Sequence, residues 1–261
     1  MLLKDRVAIV TGGAKGIGKG IVLKFAREGC DVVVNALHIE GAQKAADEVK
    51  ALGRKSLAIA ADVSKTAEVN DMVARTIKEF GKIDILVNNA GGVSGDAKIE
   101  DTSDEAWNRV IGTNLTGQFL CCRAVVPYMK KNRYGKIINV SSMGAIHPPA
   151  PIVHYHSAKG GVLGLTTNLA LELAQYNITV NAILPGPIHS EFFTEMLKGM
   201  TEAEGKAFFK MLDNKVPMHR MGTPEEVAGV ALFLASDLSS YVTGEAINTG
   251  GGLPLSPLDA D

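Results

Sequence analysis

Tyr155 and Lys159 stand four apart in His154-Tyr155-His156-Ser157-Ala158-Lys159, at the start of a stretch that reads as helix up to about Tyr176. On a helix that spacing puts a phenol and an ammonium one turn apart on one face. A free phenol titrates near ~10. A positive charge about 4 Å away, at an effective dielectric of roughly 20, favours the phenolate by about 4 kcal/mol before desolvation. The pair therefore predicts a phenol acidic enough to trade a proton with a substrate oxygen near neutral pH. A Tyr and a Lys one turn apart also occur as plain surface residues, so the pair gains meaning only from its surroundings. Ser142, thirteen positions before Tyr155, ends the strand-like run Lys136-Ile137-Ile138-Asn139-Val140-Ser141-Ser142 with a hydroxyl. Between them lies Met143 to Pro151, a loop with His147 in it that Pro148, Pro149 and Pro151 stiffen.

A second chemical signal opens the chain. Arg6 to Thr11 is a short, almost continuously apolar run, as in a parallel strand buried on both faces. It leads into Thr11-Gly12-Gly13-Ala14-Lys15-Gly16-Ile17-Gly18, after which Ile17, Ile21 and Phe25 repeat at helical spacing. A glycine-rich turn between a strand and a helix suits a dinucleotide pyrophosphate, because backbone comes close and the helix N-terminus offers free N–H groups. The spacing is G-x-x-x-G-x-G rather than G-x-G-x-x-G, and a plain tight turn is the bland alternative.

The second strand, Asp31 to Asn35, ends at the residues that would meet the adenosine ribose. An acid there holds the ribose hydroxyls and repels a 2′-phosphate. Asn35, Ala36, Leu37 and His38 include no acid, and Lys15 adds a cation on the same side. The pattern leans to NADP(H). NAD(H), with its ribose held by Asn35, is the alternative.

These residues need a frame, and the chain reads as one. Helix about 39–52, strand 56–60, then Asp62-Val63, a helix capped by Ser64 and stopped by Gly81, and strand 83–87 follow in turn. Asn88-Asn89-Ala90-Gly91 closes that strand with small and amide residues. Thr102-Ser103-Asp104-Glu105 has the form of a capping box and predicts one long helix to about Lys131. Strand 178–184 ends in Pro185-Gly186-Pro187-Ile188-His189-Ser190. Glu191 to Leu212 reads as two short helices around Gly199, the second capped by Thr201, and Thr223-Pro224-Glu225-Glu226 caps a further helix. The last strand is 244–249. Strands alternating with helices mean βαβ units and a parallel sheet.

The 261 residues show no linker or repeat, so one domain over 1–261 is expected. A formal net charge of -1 gives no footprint for nucleic acid or an anionic membrane. No apolar run approaches the ~20 residues of a membrane span, and the N-terminus lacks a signal-peptide pattern. Cys30, Cys121 and Cys122 are odd in number and include no C-x-x-C, so neither disulfides nor a zinc site is expected and a cytoplasmic setting is the simplest. His154 and His156 do not share a helix face, and no H-E-x-x-H occurs, so no metal is expected. Phe119 to Val126 and Val162 to Leu173 are apolar almost all round, which predicts cover on every side. Asn114 lies in the first of these helices. It either bends the helix and holds water or is a satisfied core amide, and the local sequence leaves both open.

Taken in order, these motifs make the chain similar to the short-chain dehydrogenase/reductase family over nearly its whole length. The likeness rests on Thr11-Gly12, Gly16-Ile17-Gly18, Asp62-Val63, Asn88 to Gly91, Asn114, Ser142, Tyr155, Lys159 and Pro185 to Ser190. Ser190 stands where the family usually has Thr, which keeps the hydroxyl. The resemblance implies a Rossmann-like, doubly wound, seven-stranded parallel sheet with helices on both faces. It implies Tyr155 as general acid/base, Lys159 lowering its pKa and binding the nicotinamide ribose, Ser142 holding the substrate oxygen and Asn114 holding a relay water. Thr11, Gly12, Lys15, Gly16, Ile17, Gly18, Asp62, Val63, Asn89, Ala90, Gly91, Pro185, Gly186, Ile188 and Ser190 would line the cofactor. It implies a homotetramer, which fits helices 104–131 and 152–176 as the contacts.

There is some likeness to bacterial glucose dehydrogenases, although their sugar-site acid and histidine have no counterpart at Val93 or Met143, and to 3-oxoacyl-carrier-protein reductases. A non-catalytic redox sensor is the other class, but relatives of that kind lose the tyrosine or lysine. The segment 189–218 carries an apolar face, with Phe193 on it, that suits either a lid over substrate or plain packing. As a lid it predicts an uncharged cyclic, aryl or polyol substrate, with His147, His154 and His189 as polar contacts. An acyl thioester ranks below these because no basic cluster awaits a phosphopantetheine arm.

Overall fold

The coordinates are a computed structural model that describes residues 1–93, 98–150, 152–190, 199–253 and 255. Seven short apolar runs pair as strands: β1 (Val7–Val10), β2 (Asp31–Ala36), β3 (Ser56–Ala60), β4 (Ile85–Asn88), β5 (Gly135–Val140), β6 (Ile178–Pro185) and β7 (Ala246–Thr249). Their order is β3-β2-β1-β4-β5-β6-β7, and every pairing is parallel. Parallel neighbours need long crossovers. The chain supplies them as α1 (Gly16–Arg27), α2 (Ile39–Ala51), α3 (Thr66–Phe80), α4 (Asp104–Ile111), α5 (Gly117–Asn132), α6 (Val153–Leu173), α7 (Glu202–Lys215) and α8 (Pro224–Ala235).

The period of two along each strand divides the core between the two faces. Ala8 and Val10 pack with Phe25 of α1, Val49 of α2 and Val227 of α8. Ile9, between them, packs with Met72 of α3, Val125 of α5 and Leu173 of α6. Both faces are covered along β1, β4, β5 and β6, whose residues are buried throughout. After β1 the chain runs out to β2, and after β4 it runs the other way to β5. The point at the carboxyl edge where the connections diverge is the usual ligand position in such a sheet.

Local chemistry differs from expectation at three places. Lys65, not Ser64, precedes α3, and it makes no side-chain cap bond. Ser64 is engaged elsewhere, donating its hydroxyl to Asp62 Oδ1 at 2.7 Å. The α4 cap is Ser103, whose hydroxyl accepts from Ala106 N, while Thr102 donates backwards to the Lys98 carbonyl. The predicted helix 104–131 is broken by a π turn, Gly112–Thr116, centred on Asn114. The capping boxes at Thr201 and Thr223 are complete, and Gly81 stops α3 at φ 76°. The first of the two short helices expected around Gly199, with Phe193, lies outside the described residues. Among the described residues, no helix is long and apolar enough to cross a membrane.

Candidate active site

At that edge the site is built from backbone. Gly12 and Gly16 turn the chain with φ of 62° and 54°, a region that costs other residues strain. Thr11 Oγ1 accepts from Asn89 N at 3.0 Å and Ala90 N at 3.1 Å, and Asn89 Nδ2 donates to the Thr11 and Gly12 carbonyls. The β1 and β4 loops are thus sewn together. A Cβ on Gly18 would collide with the Gly12 carbonyl, and one on Gly12 would lie 2.9 Å from Ala90 Cα. Lys15 precedes α1 without a side-chain cap bond, and the first turn holds no acid. These are the free N–H groups and positive helix end that a pyrophosphate needs.

Around this cradle the residues named from sequence separate into two groups. Val63 is buried against Gly117, and Asp62 takes the Ser64 N–H at 2.9 Å, which fixes the β3 loop. Ile188 is buried and bridges in parallel to Gly222, and a Cβ on Gly186 would meet Gly250. Asn35 is turned inward, unlike a ribose ligand. It is 1% exposed, and its amide nitrogen donates to the Ala61 carbonyl at 3.0 Å and the Ile59 carbonyl at 3.3 Å. The amide ties β2 to the end of β3 because both strands stop there. Past it the end of β2 presents Ala36, Leu37 and His38, with Leu37 63% exposed, and Lys15 is exposed in the β1 loop.

At the other end of the site, Lys159 is 3% exposed and its Nζ donates to the Val140 carbonyl at 2.9 Å. Burial lowers its pKa from 10.5 to about 8. Ser141 Oγ donates to the Lys159 carbonyl at 2.8 Å, so the end of β5 grips this lysine at backbone and side chain. Asn114 Nδ2 donates to the Gly92 and Val110 carbonyls, and its Oδ1 accepts from Gly92 N at 3.1 Å. Of the two sequence readings for Asn114, the satisfied amide is the one these bonds describe, in a side chain that sits within the π turn. A Cβ on Gly91 would strike Asn114 Oδ1 and come within 3.4 Å of Lys159 Nζ.

Tyr155 lies one turn before Lys159, beside Ser142. Its expected acidity is not found. Burial pushes the phenol above its ordinary value, and the hydrogen bond with Ser142 pulls it only partly back. The Lys159 ammonium is 5.6 Å from the ring centre and engaged by Val140, so it does not offset the desolvation. A phenol kept protonated is a proton donor, which suits reduction of a ketone.

The histidines also separate. His154 is wholly enclosed, and its Nδ1 accepts from Tyr155 N at 3.0 Å. His147 is exposed on its loop, and exposed His189 stacks on Phe209 of α7 with ring centres 5.3 Å apart. His156, not singled out as a substrate contact, packs its ring on Gly144 next to Ser142 and edge-on to Tyr155. Burial, followed by the charge of His154, lowers its pKa. Gln118 also escaped the sequence reading, and Ser141, read there as part of the strand-end run, was given no role. Among the described residues, no group of three or more His, Cys, Asp or Glu could hold a metal ion.

A family model described as enoyl-(acyl carrier protein) reductase matches residues 12–254. The chain belongs to the short-chain dehydrogenase/reductase family. It is therefore an oxidoreductase of a family that works with nicotinamide cofactors. Among curated members, it is 39% identical over 98% of its length to the (2S)-[(R)-hydroxy(phenyl)methyl]succinyl-CoA dehydrogenase subunit BbsD of Thauera aromatica, covering 99% of that protein. It is 40% identical over 98% of its length to the 3-oxoacyl-[acyl-carrier-protein] reductase FabG of Thermotoga maritima, covering all of it. Among solved members, levodione reductase superposes with a TM-score of 0.91 at 33% identity, covering 96% of this chain and 98% of that one. NAD+-bound xylitol dehydrogenase superposes at 0.90 with 32% identity, covering 97% of this chain and 100% of that one. The seven-stranded Rossmann-like architecture expected from sequence is that of this short-chain dehydrogenase.

Proposed function

We propose that this short-chain dehydrogenase interconverts a ketone and a secondary alcohol, with Tyr155 exchanging the proton on the substrate oxygen. The observation that carries this is the meeting of Tyr155, Ser142 and Lys159 at the carboxyl edge of the sheet, beside the glycine cradle. The nicotinamide dinucleotide supplies or takes the hydride. Gly12, Gly16, Ile17 and Gly18 would hold its pyrophosphate, and Lys159 and Gly91 would hold its nicotinamide end. Ser142 holds the substrate oxygen and Tyr155 gives it a proton. Lys159 contributes positive charge where negative charge develops. With Asn35 turned inward and Lys15 exposed, the cofactor is NADP(H) rather than NAD(H).

For the substrate, the sequence relatives favour what sequence reasoning ranked second. Two proteins at 39% and 40% identity are named for acyl thioesters, one carrying a phenyl group. A 3-oxoacyl or 3-hydroxyacyl thioester with an apolar or aryl flank fits them. An uncharged cyclic ketone or polyol is the second reading, favoured by the structural match to levodione reductase and xylitol dehydrogenase. Steady-state rates with a 3-oxoacyl thioester, a cyclic diketone and a polyol, each with both cofactors, decide. Dominance of the diketone or the polyol would overturn the thioester assignment.

The assembly is a homotetramer through α4–α5 and α6. Phe119 and Leu171 on those helices are 42% and 84% exposed in the single chain, an apolar cost that a second subunit removes. Cys30, Cys121 and Cys122 are free and buried, which fits a reducing cytoplasm.

A further inference from the structure

α5 passes beneath the site and carries a buried amide among apolar neighbours. Gln118 is 2% exposed, and its Nε2 donates to the Val140 carbonyl at 3.1 Å. The Lys159 ammonium donates to the same oxygen at 2.9 Å. That oxygen is available because β4 makes its last pairing at Asn88, opposite Asn139. Beyond it, Asn89 N and Ala90 N are drawn to Thr11 Oγ1 instead of continuing the ladder. Two donors therefore share one strand-end carbonyl. The other end of Gln118, Oε1, is buried with no partner. A half-satisfied buried amide is costly, and an aliphatic side chain in its place would avoid the cost.

We propose that Gln118 is a positioning residue for Lys159. This rests on the reading of Lys159 as part of the catalytic site. A carbonyl oxygen offers two lone pairs. Gln118 takes one direction and confines the ammonium to the other. Because Ser141 already fixes the backbone of Lys159, the side-chain end is the part left to adjust. Without the Gln118 donor, the Val140 oxygen becomes a stronger acceptor for the ammonium alone. The ammonium is then drawn toward β5, held more firmly and less well placed beside Tyr155.

The test compares Gln118→Met, which keeps the volume and removes the donor, with Gln118→Glu, whose carboxylate cannot donate to Val140 and pairs with Lys159 directly. For Gln118→Met, kcat should fall about tenfold, with substrate KM within about twofold, as expected for a small misplacement of a reacting group. The alkaline limb of the kcat profile should move up by about half a unit, and further in Gln118→Glu, because each change favours the charged lysine. Should the methionine variant not fold, the glutamate variant carries the same pH readout. Lys159→Met is run beside them. If Lys159→Met keeps its activity, the reading of the site fails and the Gln118 proposal falls with it. If Lys159→Met is dead while the Gln118 variants keep wild-type kcat and an unmoved alkaline limb, the Gln118 proposal alone is overturned.

Discussion

Asn114 and Gly92 are bonded in both directions, with the Asn114 amide donating to the Gly92 carbonyl at 2.9 Å and accepting from Gly92 N at 3.1 Å. One side chain in a π turn thus holds the loop that closes β4, and that loop is the floor beneath Lys159. Asn114→Ala removes the side-chain partner from Gly92 N and from the Gly92 and Val110 carbonyls. Leaving buried groups unpaired costs about 1–3 kcal/mol, so the unfolding midpoint in urea should fall by a corresponding amount. Turnover should fall as well, because the loop no longer fixes the cofactor edge. An unchanged midpoint would mean that the reciprocal bonds do not hold the loop.

Cofactor choice follows from the end of β2. Ala36→Asp puts a carboxylate where a 2′-phosphate would lie, and Lys15→Ala removes the nearby cation. Both should move the ratio of kcat/KM for NADPH over NADH downward, about tenfold or more for the aspartate. A wild type that already prefers NADH would contradict the assignment.

The buried lysine makes both stability and rate depend on pH. Lys159 titrates at about 8 in the folded chain and 10.5 ordinarily, so between those values the unfolded chain binds more protons. Its contribution therefore raises stability as pH rises through that window, by roughly 3 kcal/mol in all. Lys159→Met should abolish that rise and be the more stable protein below pH 8, as read from urea midpoints at several pH values. In the reductive direction kcat should decline above about pH 8, where Lys159 loses its charge while Tyr155 stays protonated. A rate that keeps rising past pH 9 would remove the ammonium from the chemistry.

The assembly is open to one exposed residue. Leu171 is 84% exposed on α6. Leu171→Glu should leave the fold intact by circular dichroism and shift the mass in solution to a smaller species, because a charge buried without a partner in an apolar contact is strongly unfavourable. A wild type that runs as a monomer would end the tetramer reading.

Much of this was legible in the chain because it is local. The unbroken apolar strands, the glycine turn and the four-residue spacing of Tyr155 and Lys159 follow from period and residue type alone. The capping boxes at Thr201 and Thr223 met expectation for the same reason, whereas the seven-stranded parallel sheet was implied by the family resemblance and not by local pattern. What was hidden is non-local. Asn35 looked like a ribose ligand because nothing in its neighbours reveals the Ile59 and Ala61 carbonyls that claim it. The sign of the Tyr155 shift reversed because a charge one turn away can be counted from sequence, whereas desolvation and the pull of the Val140 carbonyl on Lys159 cannot. The π turn escaped because helical spacing does not register one extra residue.

The most direct test of the site is the turnover of Tyr155→Phe on a substrate that the wild type reduces well. The ring stays in place beside Ser142 and His156, and only the exchangeable proton is lost. General acid catalysis of this kind contributes about 10²–10⁴-fold. The variant should fold, bind NADPH with near-wild-type affinity by fluorescence titration, and lose kcat by that factor. A Tyr155→Phe protein that binds cofactor and turns over within a few-fold of wild type would contradict the assignment of Tyr155 as the proton donor.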